Sequence, residues 1–214
     1  MEPRFAAALG ATLLLVAGCV DPAGDLDAFQ KRLVHAPPAD AGPDTGSDSA
    51  GCGISPGFIQ GQYLLTISVS IAPSKPLLAL ADVTTPAFQG GTGIALTAQA
   101  LSATDRTTPV DSPVSFGPFA VGSDGTFRAE LSGLTVSGGA NPITPGAAIS
   151  SDLVLVGNLC AHDGLFCGAA SGQATSPITL DLSGSTFTLT TPSEAGTFPV
   201  QPTIDCKGTL ADPL

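Results

Sequence analysis

The chain reads as all-β, an antiparallel meander closing as an up-and-down β-barrel of roughly eight or nine strands, with a two-sheet β-sandwich as the alternative. Three observations carry that expectation. Of 214 residues, 26 are Gly and 19 are Pro, and Trp is absent, a mixture that suits short strands joined by turns better than helices. Apolar residues recur with a period of two over successive stretches, as on half-buried strands. The links between those stretches are short, which favours antiparallel neighbours, and none is long enough for the crossing that a Greek key requires.

The folded body begins near Gly51 and Cys52. From Gly61, Tyr63, Leu65, Ile67, Val69 and Ile71 fall on one face of a strand, and Leu64, Thr66, Ser68 and Ser70 on the other. Pro73 and Pro76 stop it. Further strands are expected over residues 77–83, 92–101, 110–121, 126–136, 147–160, 167–175 and 185–191, and a last one around 197–206. Gly122-Ser123-Asp124-Gly125 is a hairpin signal. Gly138 to Pro142 and Asp163-Gly164 mark other reversals. No internal repeat is evident at any period.

Ahead of the body lie two segments of different character. Residues 5–17 carry no charge and would span about 20 Å as a helix, short of the roughly 30 Å of a hydrocarbon core. The run therefore reads as the apolar part of a secretory signal over residues 1–18. It closes in Val16-Ala17-Gly18-Cys19, which is similar to the lipobox of bacterial lipoproteins, an apolar residue and two small ones before a cysteine. The resemblance implies that Cys19 is lipidated, becomes the mature N-terminus and anchors the protein in the bacterial cell envelope, at the outer membrane. Several acyl chains hold stably where one would bind reversibly. Residues 19–50, rich in Asp and Pro and poor in apolar periodicity, read as a disordered acidic linker, leaving 51–214 as a single all-β domain.

Charge and cysteine usage narrow the classes further. Seven Lys and Arg against eighteen Asp and Glu give a net charge of −11, which repels phosphate backbones and excludes nucleic acid as a partner. Besides Cys19 there are Cys52, Cys160, Cys167 and Cys206, an even set that an exported chain is expected to pair. Of the three possible connectivities, Cys160 with Cys167 and Cys52 with Cys206 is the expected one. The first pair flanks a turn. The second ties the two ends of the body, worth about 4 to 5 kcal/mol in the chain-entropy account.

Motifs for chemistry are few. Asp44-Thr45-Gly46-Ser47 resembles the aspartic-protease motif, but that chemistry needs two carboxylates sharing a proton, and this copy sits alone in the linker. Cys160, His162 and Cys167, with Asp163, offer zinc-ligand types at a spacing that fits a disulfide better. His35 lies in the linker, so a Ser-His-Asp site would have to use His162. No Gly-x-Ser-x-Gly elbow, phosphate loop or dinucleotide fingerprint is present. Asp152 and Asp181 border apolar runs, yet alternation turns Asp152 away from Leu153 toward solvent.

The sequence therefore points to a non-enzymatic protein with no catalytic residue, metal or cofactor, attached to the membrane by lipid, whose β domain serves binding or structure. An alternative is a carrier whose interior, lined by Tyr63, Leu65, Ile67, Phe127, Leu131, Leu153 and Leu155, holds one small apolar ligand. Gly61-Gln62-Tyr63 resembles the Gly-x-Trp start of lipocalin-type barrels, with Tyr63 in place of the Trp. A protein partner and a carboxylate-based envelope hydrolase are further alternatives.

Overall fold

The computed structural model describes residues 54–162, 164–193 and 197–214. The signal segment, Cys19, the linker and Cys52 lie outside the described residues, as do His35, Asp44, Asp163 and the side chain of His162. Ten strands follow in order: β1 (Gln60–Ser68), β2 (Leu77–Thr84), β3 (Ala87–Phe88), β4 (Gly91–Ala100), β5 (Val114–Val121), β6 (Thr126–Val136), β7 (Ile149–His162), β8 (Leu165–Ser176), β9 (Leu180–Asp181) and β10 (Ser185–Thr190). Eight of them, β1, β2, β4, β5, β6, β7, β8 and β10, pair with their sequence neighbours, and β10 returns to β1, so the sheet closes. Every pairing is antiparallel. This is the up-and-down barrel rather than the sandwich; its thinnest seam is between β5 and β6, which pair only at Val121 and Phe127. The two-residue strands β3 and β9 are appendages on β4 and β8.

Side-chain alternation fills the barrel. Tyr63, Leu65 and Ile67 of β1, Phe127, Ala129 and Leu131 of β6, Leu153 and Leu155 of β7, and Phe187 and Leu189 of β10 form one buried cluster. Each large side chain so placed contributes about 1.5–3 kcal/mol relative to exposure. The aromatic residues concentrate in one half of this cluster, where Phe127 meets Phe187 edge-on at 6.1 Å and Tyr63 meets Phe166 at 5.7 Å. Ile59, on the segment entering β1, seals that end. Its amide donates to Thr85 Oγ1, and the Thr85 hydroxyl donates back to its carbonyl.

Two expectations are corrected at the outer wall. Residues 197–206 form no ladder strand; the C-terminal segment crosses the outside of β10, β1 and β2 as a strap with a single bridge, Thr203 to Leu210. Pro199 and Pro202 lack the amides a ladder needs. The strap is held by Thr186 and Thr188, whose hydroxyls donate to the carbonyls of Ile204 at 2.6 Å and Thr203 at 2.7 Å. As a result β1 is buried on both faces: Leu64, Thr66 and Ser68 are covered, and Leu64 packs with Leu78, Leu101, Leu80 and Phe198 in a second apolar cluster.

The expected disulfide pairing is also overturned, because Cys167 is bonded to Cys206. That bond excludes Cys160 with Cys167 and Cys52 with Cys206 together. The cause is register. Asn158, not Cys160, stands opposite Cys167 across the β7–β8 ladder, and Cys160 falls in the stretch between Asn158 and His162 where the register shifts. Cys167 follows the inward Phe166 and so points outward, to the strap, where the Cys206 Cα lies 5.4 Å from its own.

Candidate ligand cavity

Packing is uneven along the barrel axis. At the end opposite Ile59 the inward positions carry smaller or shorter side chains, and the interior opens into a cavity of about 180 Å³. Its walls come from the end of β1 (Ile67), the start of β2 (Leu77), the end of β6 (Leu134), the start of β7 (Ile149, Ser151, Leu153) and the end of β8 (Ala174). A smaller void of about 50 Å³ adjoins it past Ile67, Leu77 and Leu134. Ile71 and Ile178 form the lip and are 55% and 65% exposed. Apolar surface thus runs from solvent into the barrel. For scale, an apolar cavity of about 150 Å³ holds benzene.

Of the seven interior residues expected to line a binding site, all face inward, but only Ile67 and Leu153 reach the cavity. Leu65 and Leu131 line the adjoining smaller void, and Tyr63, Phe127 and Leu155 belong to the packed remainder. Sequence reasoning missed Ser151 and Ala174. Their signal was the alternation of β7 and β8, which puts them level with Leu134 in one row across three strands.

No charged side chain lines the cavity. No two of the described carboxylates face each other across the cavity, and Asp111 lines the adjoining smaller void. Asp152 is exposed and accepts the Gly133 amide at 2.7 Å, capping the bulge that shifts register between Leu131 and Leu134. Asp181 is likewise exposed and accepts from the Ser183 hydroxyl at 2.7 Å and amide at 2.9 Å, which hold its carboxyl below the usual range. Asp111 is half-buried and accepts the Ser137 amide at 3.1 Å. These are turn and bulge contacts. The sulfurs of the Cys160, His162 and Cys167 grouping are committed, since Cys160 is itself disulfide-bonded and Cys167 holds Cys206, so neither offers the thiolate that zinc requires. Among the described residues no group of three or more His, Cys, Asp or Glu could hold a metal ion.

A wider, mixed-polarity groove opens beyond the β6–β7 loop, between Lys75, Arg106, Asn141 and Asp212. Arg106 is tied there, donating to the carbonyls of Asp212 at 2.7 Å and Val200 at 3.3 Å. It anchors the strap to the β4–β5 loop.

Fold and site together define a closed eight-stranded up-and-down barrel, packed with aromatic side chains at one end and cupped at the other. No family model, curated protein or solved structure matches the chain.

Proposed function

We propose that this protein is a lipid-anchored component of the bacterial cell envelope whose barrel is a non-catalytic binding module, taking a small apolar ligand, or the apolar end of a larger one, into its open end. The observation that carries the proposal is the cavity of about 180 Å³ with its exposed isoleucine lip. Folded chains rarely leave such a space in a core packed elsewhere to close contact. Ligand pockets are largely preformed, concave and apolar. The lipocalin-like carrier reading and the simple binding-module reading therefore converge on one site. The anchor rests on the segment ending in Cys19, and oxidised cysteines in the barrel agree with export.

Two measurements test this. Toluene titrated into the purified protein by calorimetry is expected to bind, and Ala174→Phe, which fills the cavity from β8, is expected to abolish binding while the barrel stays folded. No binding to the wild type, or undiminished binding to the variant, would refute the cavity's role. For the anchor, cells fed a labelled fatty acid should label the wild type and not Cys19→Ala. Native mass spectrometry of protein taken from envelopes then identifies what the cavity carries.

A further inference from the structure

The cavity contains one feature that packing alone does not explain. Along β7 the inward positions run Ile149, Ser151, Leu153 and Leu155, so a hydroxyl interrupts an aliphatic row. In the ladder Ser151 stands between Leu134 of β6 and Ala174 of β8, neither of which offers a side-chain acceptor or donor. The residue is only 7% exposed and lines the cavity, and among the described residues its hydroxyl has no hydrogen-bond partner. It opens onto the cavity, so its hydrogen bonding is left to whatever occupies that space.

The other polar groups around the cavity are engaged or at its mouth. Ser185 Oγ accepts the Ser70 amide at 3.0 Å. Thr144 Oγ1 accepts from Asn141 Nδ2 at 2.7 Å. Ser176 is exposed at the rim. That leaves a single unengaged hydroxyl, sheltered among aliphatic side chains, with no charge in the lining. Such a wall favours a ligand that is apolar apart from one hydrogen-bonding group, and it rejects an ion, which would lose its hydration without compensation.

Resting on the cavity reading above, we propose that the ligand is uncharged and compact, about the size of an aromatic ring, with one hydroxyl or carbonyl that bonds to Ser151. Ser151 is the specificity-determining residue of the site. A ligand hydroxyl can donate to or accept from Oγ, and a carbonyl can accept from it.

Three probes of matched shape separate the outcomes: toluene, p-cresol and p-toluate, each titrated calorimetrically into the purified wild type and Ser151→Ala. Ser151→Ala is expected to weaken p-cresol about fivefold, the scale of one neutral hydrogen bond, and to leave toluene unchanged within about twofold. p-Toluate is expected to bind the wild type at least about tenfold more weakly than p-cresol, since its charge finds no partner. Toluene binding also certifies that the variant is folded. Equal loss of toluene and p-cresol, no loss of p-cresol, or tighter binding of p-toluate would each overturn the assignment while leaving the cavity reading intact. If toluene fails to bind the wild type, the cavity reading itself falls and this assignment with it.

Discussion

Phe187 stands directly opposite Gly168 in the β8–β10 ladder, and Gly168 directly opposite Gly157 in the β7–β8 ladder. The two glycines leave the space that the Phe187 ring occupies. A Cβ built on Gly157 would lie 2.7 Å from Phe187 Cζ, and one on Gly168 2.7 Å from Phe187 Cε1. The ring, fully buried, then meets Phe127 edge-on. Gly157→Ala should therefore cost about 1–3 kcal/mol as overpacking, and Phe187→Ala about 3–5 kcal/mol as a cavity. The decisive case is the pair. In a Phe187→Leu background the Gly157→Ala penalty should shrink by about 1 kcal/mol. Urea unfolding of the four species measures it, and strictly additive penalties would show that the ring does not set the limit.

The strap is fastened covalently at one point, between Cys167 and Cys206, 39 positions apart in sequence. Replacing both by Ser should lower stability by at most about 4 kcal/mol in the chain-entropy account, because Thr186 and Thr188 still hold the strap by hydrogen bonds. Fraying of the strap should expose Leu64, Leu78 and Leu101. A dye that fluoresces on apolar surface should then bind the double variant below its unfolding midpoint and not the wild type. An unchanged midpoint in guanidinium, with no dye signal, would mean that the bond is incidental to the strap.

The meander was legible in the sequence because strand period, turn residues and short links agree. The eight barrel strands lie where alternation put them, and the hairpin at Gly122 to Gly125 closes by a Gly125 to Gly122 hydrogen bond of 2.9 Å. What alternation could not convey is a second layer. Leu64 on the polar face of β1 was the local signal that something covers it, but its partners Leu101 and Phe198 are distant in sequence. The disulfide error has the same origin: proximity along the chain favoured Cys160 for Cys167, whereas ladder register and the strap decide for Cys206. The cavity was half legible. Inward faces could be read, but which stretch of the interior stays unfilled depends on where Phe127, Phe166 and Phe187 meet across strands.

Loop carboxylates should make the protein sensitive to strong acid. Asp105 accepts the amides of Thr107 at 2.9 Å and Thr108 at 2.8 Å and the Thr108 hydroxyl at 2.7 Å, which pull its carboxyl down to about 2. Asp124, Asp181 and Asp205 are lowered by similar contacts, led by the Thr126 hydroxyl, the Ser183 hydroxyl and the Thr209 amide respectively. A carboxyl that is more acidic folded than unfolded contributes stability above its unfolded value, near 3.9, and loses it as pH falls through its folded value. The melting temperature should thus be flat in this respect above about pH 5 and should fall between about pH 4 and pH 2. Asp105→Asn should flatten part of that decline while lowering the plateau. Thermal melts by circular dichroism across this range decide, and a decline of the same steepness in the variant would remove Asp105 from the account.

The remaining cysteines link the barrel to the N-terminal reading. Cys160 is disulfide-bonded, and Cys167 and Cys206 are taken by each other. The chain has only Cys19 and Cys52 besides. If Cys19 carries lipid on its sulfur, it cannot also form a disulfide, so Cys160 must pair with Cys52. Mass spectrometry of a non-reduced digest of the mature protein should accordingly give two cross-linked peptides, Cys52 with Cys160 and Cys167 with Cys206. Cys52→Ala should then leave Cys160 open to alkylation without reduction, and Cys19→Ala should not. A peptide joining Cys19 to Cys160 would overturn both the pairing and the lipid anchor, because the same sulfur is required for each.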